Sequence, residues 1–94
     1  MPSLRNVERQ IERVEGFRVA FRHPDGRDVR GDMQDVLSYP YKHRMAADRT
    51  VSQWTAIRTH ERYRGFDVVV LLPDGTRAHG NTLLSTARRA WDSS

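Results

Sequence analysis

Apolar residues along the chain recur at helical spacing, switch to strand spacing, and then repeat the sequence of changes. Leu4, Val7, Ile11 and Val14 fall three or four positions apart, which predicts an amphipathic helix over residues 4–15. Gly16 ends it, because glycine accepts the left-handed conformation that closes helices. A second helix is expected over 51–63. Thr50 and Gln53 form a capping-box pattern at its start, and Gly65 closes it.

After each of these glycines the period becomes two. Phe17, Val19 and Phe21 lead into Pro24-Asp25-Gly26, and Phe66, Val68 and Val70 lead into Pro73-Asp74-Gly75. Proline presets the second turn position, aspartate suits the third, and glycine supplies the positive φ of a bulged hairpin. A turn of this type sets His23 opposite Arg27 and Phe21 opposite Val29. In the second hairpin it sets Leu72 opposite Thr76 and Val70 opposite Ala78.

Alternation then assigns faces. Phe17, Val19, Phe21 and Val29, with Phe66, Val68, Val70 and Ala78, are the expected core. The opposite face carries Arg18, Ala20, Arg22, Asp28 and Arg30 in the first hairpin. In the second it carries Asp67, Val69, Leu71, Arg77 and His79.

The two stretches also match in identity. Shifted by 49 positions, residues 12–31 share nine of twenty residues with 61–80, where average usage gives about one or two by chance. Asp32 is placed to cap a short helix through Met33, Val36 and Leu37, broken at Tyr39-Pro40-Tyr41. Asn81 or Thr82 is placed to cap a longer one with Leu83, Leu84, Ala87, Ala90 and Trp91 on its apolar face and Arg88, Arg89 and Asp92 opposite. The expected fold is therefore α+β in a single domain, 1–94. Two tandem α-β-β-α units, about 4–38 and 50–92, are joined by a connector at 39–49. They form a four-stranded antiparallel sheet with packed helices about a pseudo-two-fold axis, or swap between two chains.

Composition narrows the functional classes. Cysteine is absent, so disulfides, thiolate catalysis and sulfur-ligated zinc are excluded. No apolar leader or spanning segment stands out, and the expectation is a cytoplasmic protein with no membrane association. The net charge of +4 points toward polyanions, yet the charge is spread. Residues 1–31 hold seven Arg against five acids, and residues 51–94 hold six Arg against four. A nucleic-acid footprint usually clusters its charge more than this.

Candidate chemistry is sparse. His23, His43, His60 and His79 have no metal-ligand spacing, Asp25 and Asp74 serve their turns, and no cofactor or metal is implied. Arg5, Arg9 and Arg13 align on the first helix with Glu8, Glu12 and Glu15 running beside them, which suggests a self-neutralising ladder. Arg18, Arg22 and Arg30 form the candidate nucleic-acid face, since a two-stranded ribbon bearing guanidinium groups can read phosphate and guanine. Tyr39 and Tyr41 in the connector, with Val69 and Leu71 on the back of the second hairpin, form the candidate protein interface.

The expected function is a small non-enzymatic binding or adaptor domain acting through protein–protein contacts, with a homodimer as one partnership. The alternative is a nucleic-acid-binding accessory protein using its Arg-rich hairpin face.

Overall fold

Helix α1, Leu4–Glu15, begins at Ser3, whose hydroxyl accepts the Asn6 N–H, and ends at Gly16 with φ 85°. The computed structural model describes residues 2–94. Strand β1, Val19–Arg22, follows at once. Helix α2, Val51–Trp54, starts with the full capping box of Thr50 and Gln53. It passes into a π-helical turn at Thr55–Thr59, then strand β2, Asp67–Val70, and finally helix α3, Leu84–Asp92.

Strands β1 and β2 pair antiparallel, with Val19 opposite Val70 and Phe21 opposite Val68. They are the whole sheet among the described residues. This corrects the expected four-stranded sheet and the tandem α-β-β-α units about a pseudo-two-fold axis. The internal repeat in the sequence does not become two equivalent structural units. Both Pro-Asp-Gly turns do form, with His23 N–H on the Arg27 carbonyl and Leu72 N–H on the Thr76 carbonyl, each at 2.8 Å. Val29 N–H reaches the Phe21 carbonyl and Ala78 N–H the Val70 carbonyl in the expected register. Beyond these bonds the return arms leave the sheet, so each contributes only an isolated bridge.

The arms leave because the helices need their carbonyls. The first amides of a helix have no intrahelical acceptor. Leu4 N–H bonds the Met33 carbonyl and Arg5 N–H that of Gly31, while Val51 and Ser52 N–H bond Thr82 and Gly80. The same competition removes the short helix expected after Asp32. Met33 gives its carbonyl to α1, Val36 N–H goes to the Pro2 carbonyl, and Asp35 takes φ 63°. Tyr39 N–H is held by the Gln10 side chain at 2.9 Å.

Two further expectations shift. The helix over 51–63 is α-helical only to Trp54, because Thr55 and Thr59 turn their hydroxyls onto carbonyls four residues back and His60 N–H bonds Thr55 five back. Helix α3 starts at Leu84 without a side-chain cap, its first amides accepted by the Arg49 and Ala47 carbonyls. Leu83, expected on the apolar face, is exposed.

The core lies on the face carrying Val19, Phe21, Val68 and Val70, where α1, α2, α3 and the connector cover it. Phe17 meets Trp54 edge-on at 5.1 Å, and Phe21 meets Tyr63 at 4.9 Å.

Candidate functional site

Arg18, Arg22 and Arg30 do not stand free on the hairpin. Each has a carboxylate partner: Arg18 with Glu12 at 3.0 Å, Arg22 with Asp28 at 3.2 Å, and Arg30 with Asp32 at 2.9 Å. Arg18 also lies over the Trp91 ring at 5.2 Å, a cation–π contact that ties β1 to α3. These pairs are solvent-exposed and individually weak. Their effect is to blunt the positive face.

The ladder expected on α1 is absent for a related reason. Glu12 is drawn to Arg18, and Glu8 accepts the Phe21 N–H at 3.3 Å, so neither forms an ion pair with Arg5 or Arg9 among the described residues. Partial burial raises the Glu8 carboxyl above the usual range, while the Phe21 amide and Arg5 pull it back. Arg5, Arg9 and Arg13 stay exposed. They line an open trough between α1 and β1, shared with Arg18, Val19 and Arg22.

The connector residues of the candidate interface are placed very differently from one another. Tyr39 is buried, and its hydroxyl donates to Glu15 at 2.6 Å while accepting the Trp54 indole N–H at 3.2 Å. Tyr41 is half-buried, packed on Tyr39 and under the Arg58 guanidinium, which lies 4.3 Å from its ring. On the second hairpin Val69 is 3% exposed. Leu71 is half-buried and its carbonyl accepts the Trp91 indole N–H at 2.9 Å. The C-terminal helix thus reaches the back of this hairpin.

What organises the connector is Glu15, which is fully buried. One of its oxygens accepts from Arg58 at 2.5 Å and from Tyr39; the other accepts from Arg88 and from the Met45 N–H, both at 3.0 Å. Four donors saturate the carboxylate, which is the condition under which a buried charge is tolerated. Arg88 also donates to the Glu15 carbonyl, and Arg58 to that of His43. Burial holds Arg88 below the usual arginine value, helped by nearby Arg44 and Arg58 and opposed by Glu15. For Arg58 burial acts the same way, but Tyr39 and Glu15 outweigh it and hold the value up. The directions differ because burial dominates at Arg88, with Arg44 and Arg58 adding to it, whereas Arg58 is supported by Tyr39 as well as Glu15.

Nothing in the charge pattern alone marked Glu15, Arg58 and Arg88. The available signal was positional. Glu15, expected in the surface ladder, instead continues the buried stripe of Leu4, Val7 and Ile11 at i+4, and Arg88, expected opposite the apolar face, sits one turn beyond Leu84 on the buried side of α3. A charge in line with an apolar stripe needs a buried partner.

The histidines are dispersed. His23 packs near Phe66, His79 Nδ1 accepts the Asn81 N–H at 3.1 Å, and His43 and His60 are exposed. No group of three metal-ligating side chains comes together among the described residues. No helix among them is long and apolar enough to cross a membrane. The chain matches no known family model, no curated protein and no solved structure.

Proposed function

We propose that the chain is a small non-enzymatic binding domain that works through contacts with protein. The observation that supports this reading is the pairing of Arg18, Arg22 and Arg30 with Glu12, Asp28 and Asp32 on the open hairpin face. A surface of interleaved opposite charges resembles the polar rim of a protein interface more than a phosphate track. Homodimerisation is the weaker form of the reading, because Val69 is already buried and Trp91 already holds the Leu71 carbonyl.

The second reading, a nucleic-acid-binding accessory protein, draws on Arg5, Arg9 and Arg13, which form no ion pair among the described residues. Titration with labelled duplex and single-stranded oligonucleotides, alongside selection from a displayed peptide library, separates the two. Saturable peptide binders, with oligonucleotide affinity negligible at about 150 mM salt, are the expected result. Tight oligonucleotide binding that falls steeply with log salt, together with an empty peptide selection, refutes the protein-contact reading.

A further inference from the structure

We infer that the trough between α1 and β1 receives an extended acidic peptide segment, which adds a strand to the outer edge of β1 at Val19. The inference rests on the protein-contact reading above and names the partner's chemistry.

The first support is the state of the edge. The Leu71 N–H bonds the Arg18 carbonyl at 2.9 Å, so Arg18 and Leu71 form a directly bonded pair. In an antiparallel ladder the bonded direction alternates. Val19 and Phe21 therefore turn their N–H and C=O groups away from β2. Those of Phe21 are occupied, by the Glu8 carboxylate and by the Val29 N–H. Those of Val19 meet no partner among the described residues. The return arm that would cover them has already swung away to cap α1 through Gly31 and Met33.

An unpaired edge with a slot beside it is what strand addition requires. Here Glu8 closes the slot at Phe21, so pairing is confined to Val19 and its immediate surroundings. Short edges of this kind resist indiscriminate pairing. Selectivity must then come from the wall of the trough.

That wall carries Arg5, Arg9 and Arg13, beside Glu8 and Glu12, which are engaged by the Phe21 N–H and by Arg18. Successive arginines are four residues apart on a helix, which separates them by about 6 Å along its axis. Alternate residues of an extended strand lie about 6.6–6.8 Å apart. A peptide with carboxylates at every second position therefore presents them at nearly the spacing of these guanidinium groups. Arg18 and Arg22 are already tied to Glu12 and Asp28, whereas the α1 arginines have no carboxylate of their own among the described residues. Charge complementarity thus selects an acidic occupant, and the Val19 backbone selects an extended one.

Amide NMR titration of the full chain tests this with defined probes. The probes are a short peptide alternating Glu and Val, its Lys–Val counterpart, a copy N-methylated at alternate backbone amides, and a single-stranded oligonucleotide. The Glu–Val peptide is expected to shift the Val19 amide saturably and the Lys–Val peptide to leave it unmoved. Affinity should fall by at least about tenfold on N-methylation of the amides facing β1, and by a similar factor in the double variant Arg9→Gln/Arg13→Gln. Both arginines are exposed, so that variant should keep its fold, which the remaining amide shifts report. Equal affinity for the N-methylated peptide overturns strand addition. An oligonucleotide that binds the same amides more tightly than the Glu–Val peptide overturns the inference as well. Peptide binding that maps to Tyr41 and leaves the Val19 amide unmoved overturns it while leaving the protein-contact reading intact, whereas oligonucleotide binding with no peptide binding anywhere overturns both.

Discussion

Glu15 and Arg88 are 73 positions apart in the chain, and a carboxylate oxygen of the first lies 3.0 Å from a guanidinium nitrogen of the second in the protein interior. This contact fastens the end of α1 to α3. Arg58 and Tyr39 fasten the π-helical turn and the connector to the same carboxylate.

Removing the charge at the centre should therefore cost more than removing one of its partners. Glu15→Gln leaves the buried Arg88 and the half-buried Arg58 without a counter-charge, a loss on the order of 3–5 kcal/mol. Arg88→Met leaves Glu15 still paired with Arg58 and should cost less. Urea unfolding midpoints of the two variants check the order, and an equal or reversed order contradicts the shared-carboxylate arrangement.

Two buried tyrosines should respond oppositely to loss of their hydroxyls. Tyr39→Phe leaves the Trp54 indole N–H and one Glu15 lone pair unsatisfied, a cost of about 1–3 kcal/mol. The Tyr63 hydroxyl has no hydrogen-bond partner among the described residues, and burial pushes its phenol up to about 12. The Arg62 guanidinium pulls that value down from nearby, yet its donors go to the Ser38 carbonyl. Tyr63→Phe should accordingly be neutral or stabilising in the same unfolding measurement.

The Glu8 carboxyl makes a pH signature. Its value is raised in the folded state, chiefly by burial, so the folded protein holds the proton more strongly than the unfolded chain does. By linkage, its contribution to stability is present at low pH and is lost as pH rises from the ordinary glutamate value of 4.5 through the raised value. Glu8→Gln should therefore gain on the parent protein as pH rises across that window. The difference between the two stability profiles isolates Glu8 from the exposed acids, and a flat difference contradicts the desolvated placement.

Gly16 and Gly26 both hold positive φ, 85° and 92°. Alanine at either carries the left-handed penalty of roughly 1–2 kcal/mol. At Gly16 the added methyl would also lie 3.1 Å from the Arg44 guanidinium, while at Gly26 it meets nothing within 4 Å. Gly16→Ala should be the more destabilising, and the excess should vanish when Arg44 is replaced by alanine. Thermal unfolding of the three variants decides it.

Features that depend on a few adjacent residues were legible along the chain. The Pro-Asp-Gly turns, the left-handed close at Gly16, the Thr50–Gln53 capping box and the hairpin registers at Phe21–Val29 and Val70–Ala78 all appear as read. So does the core face of Val19, Phe21, Val68 and Val70. Each follows from local backbone preference or from alternation, which act over one turn of chain. The repeat, read as two whole units, overreached. Local pattern does not say whether a return arm stays in the sheet or gives its carbonyls to a helix, and the amides of α1 and α2 took them. The candidate site divides the same way. The arginines of the first hairpin were visible as residues, but their carboxylate partners became evident only once α1 lay beside β1. Above all, the tertiary structure decided the fate of Glu15. A carboxylate can be buried only where enough donors converge, and its donors come from positions as far away as Arg58 and Arg88, which no local spacing brings together.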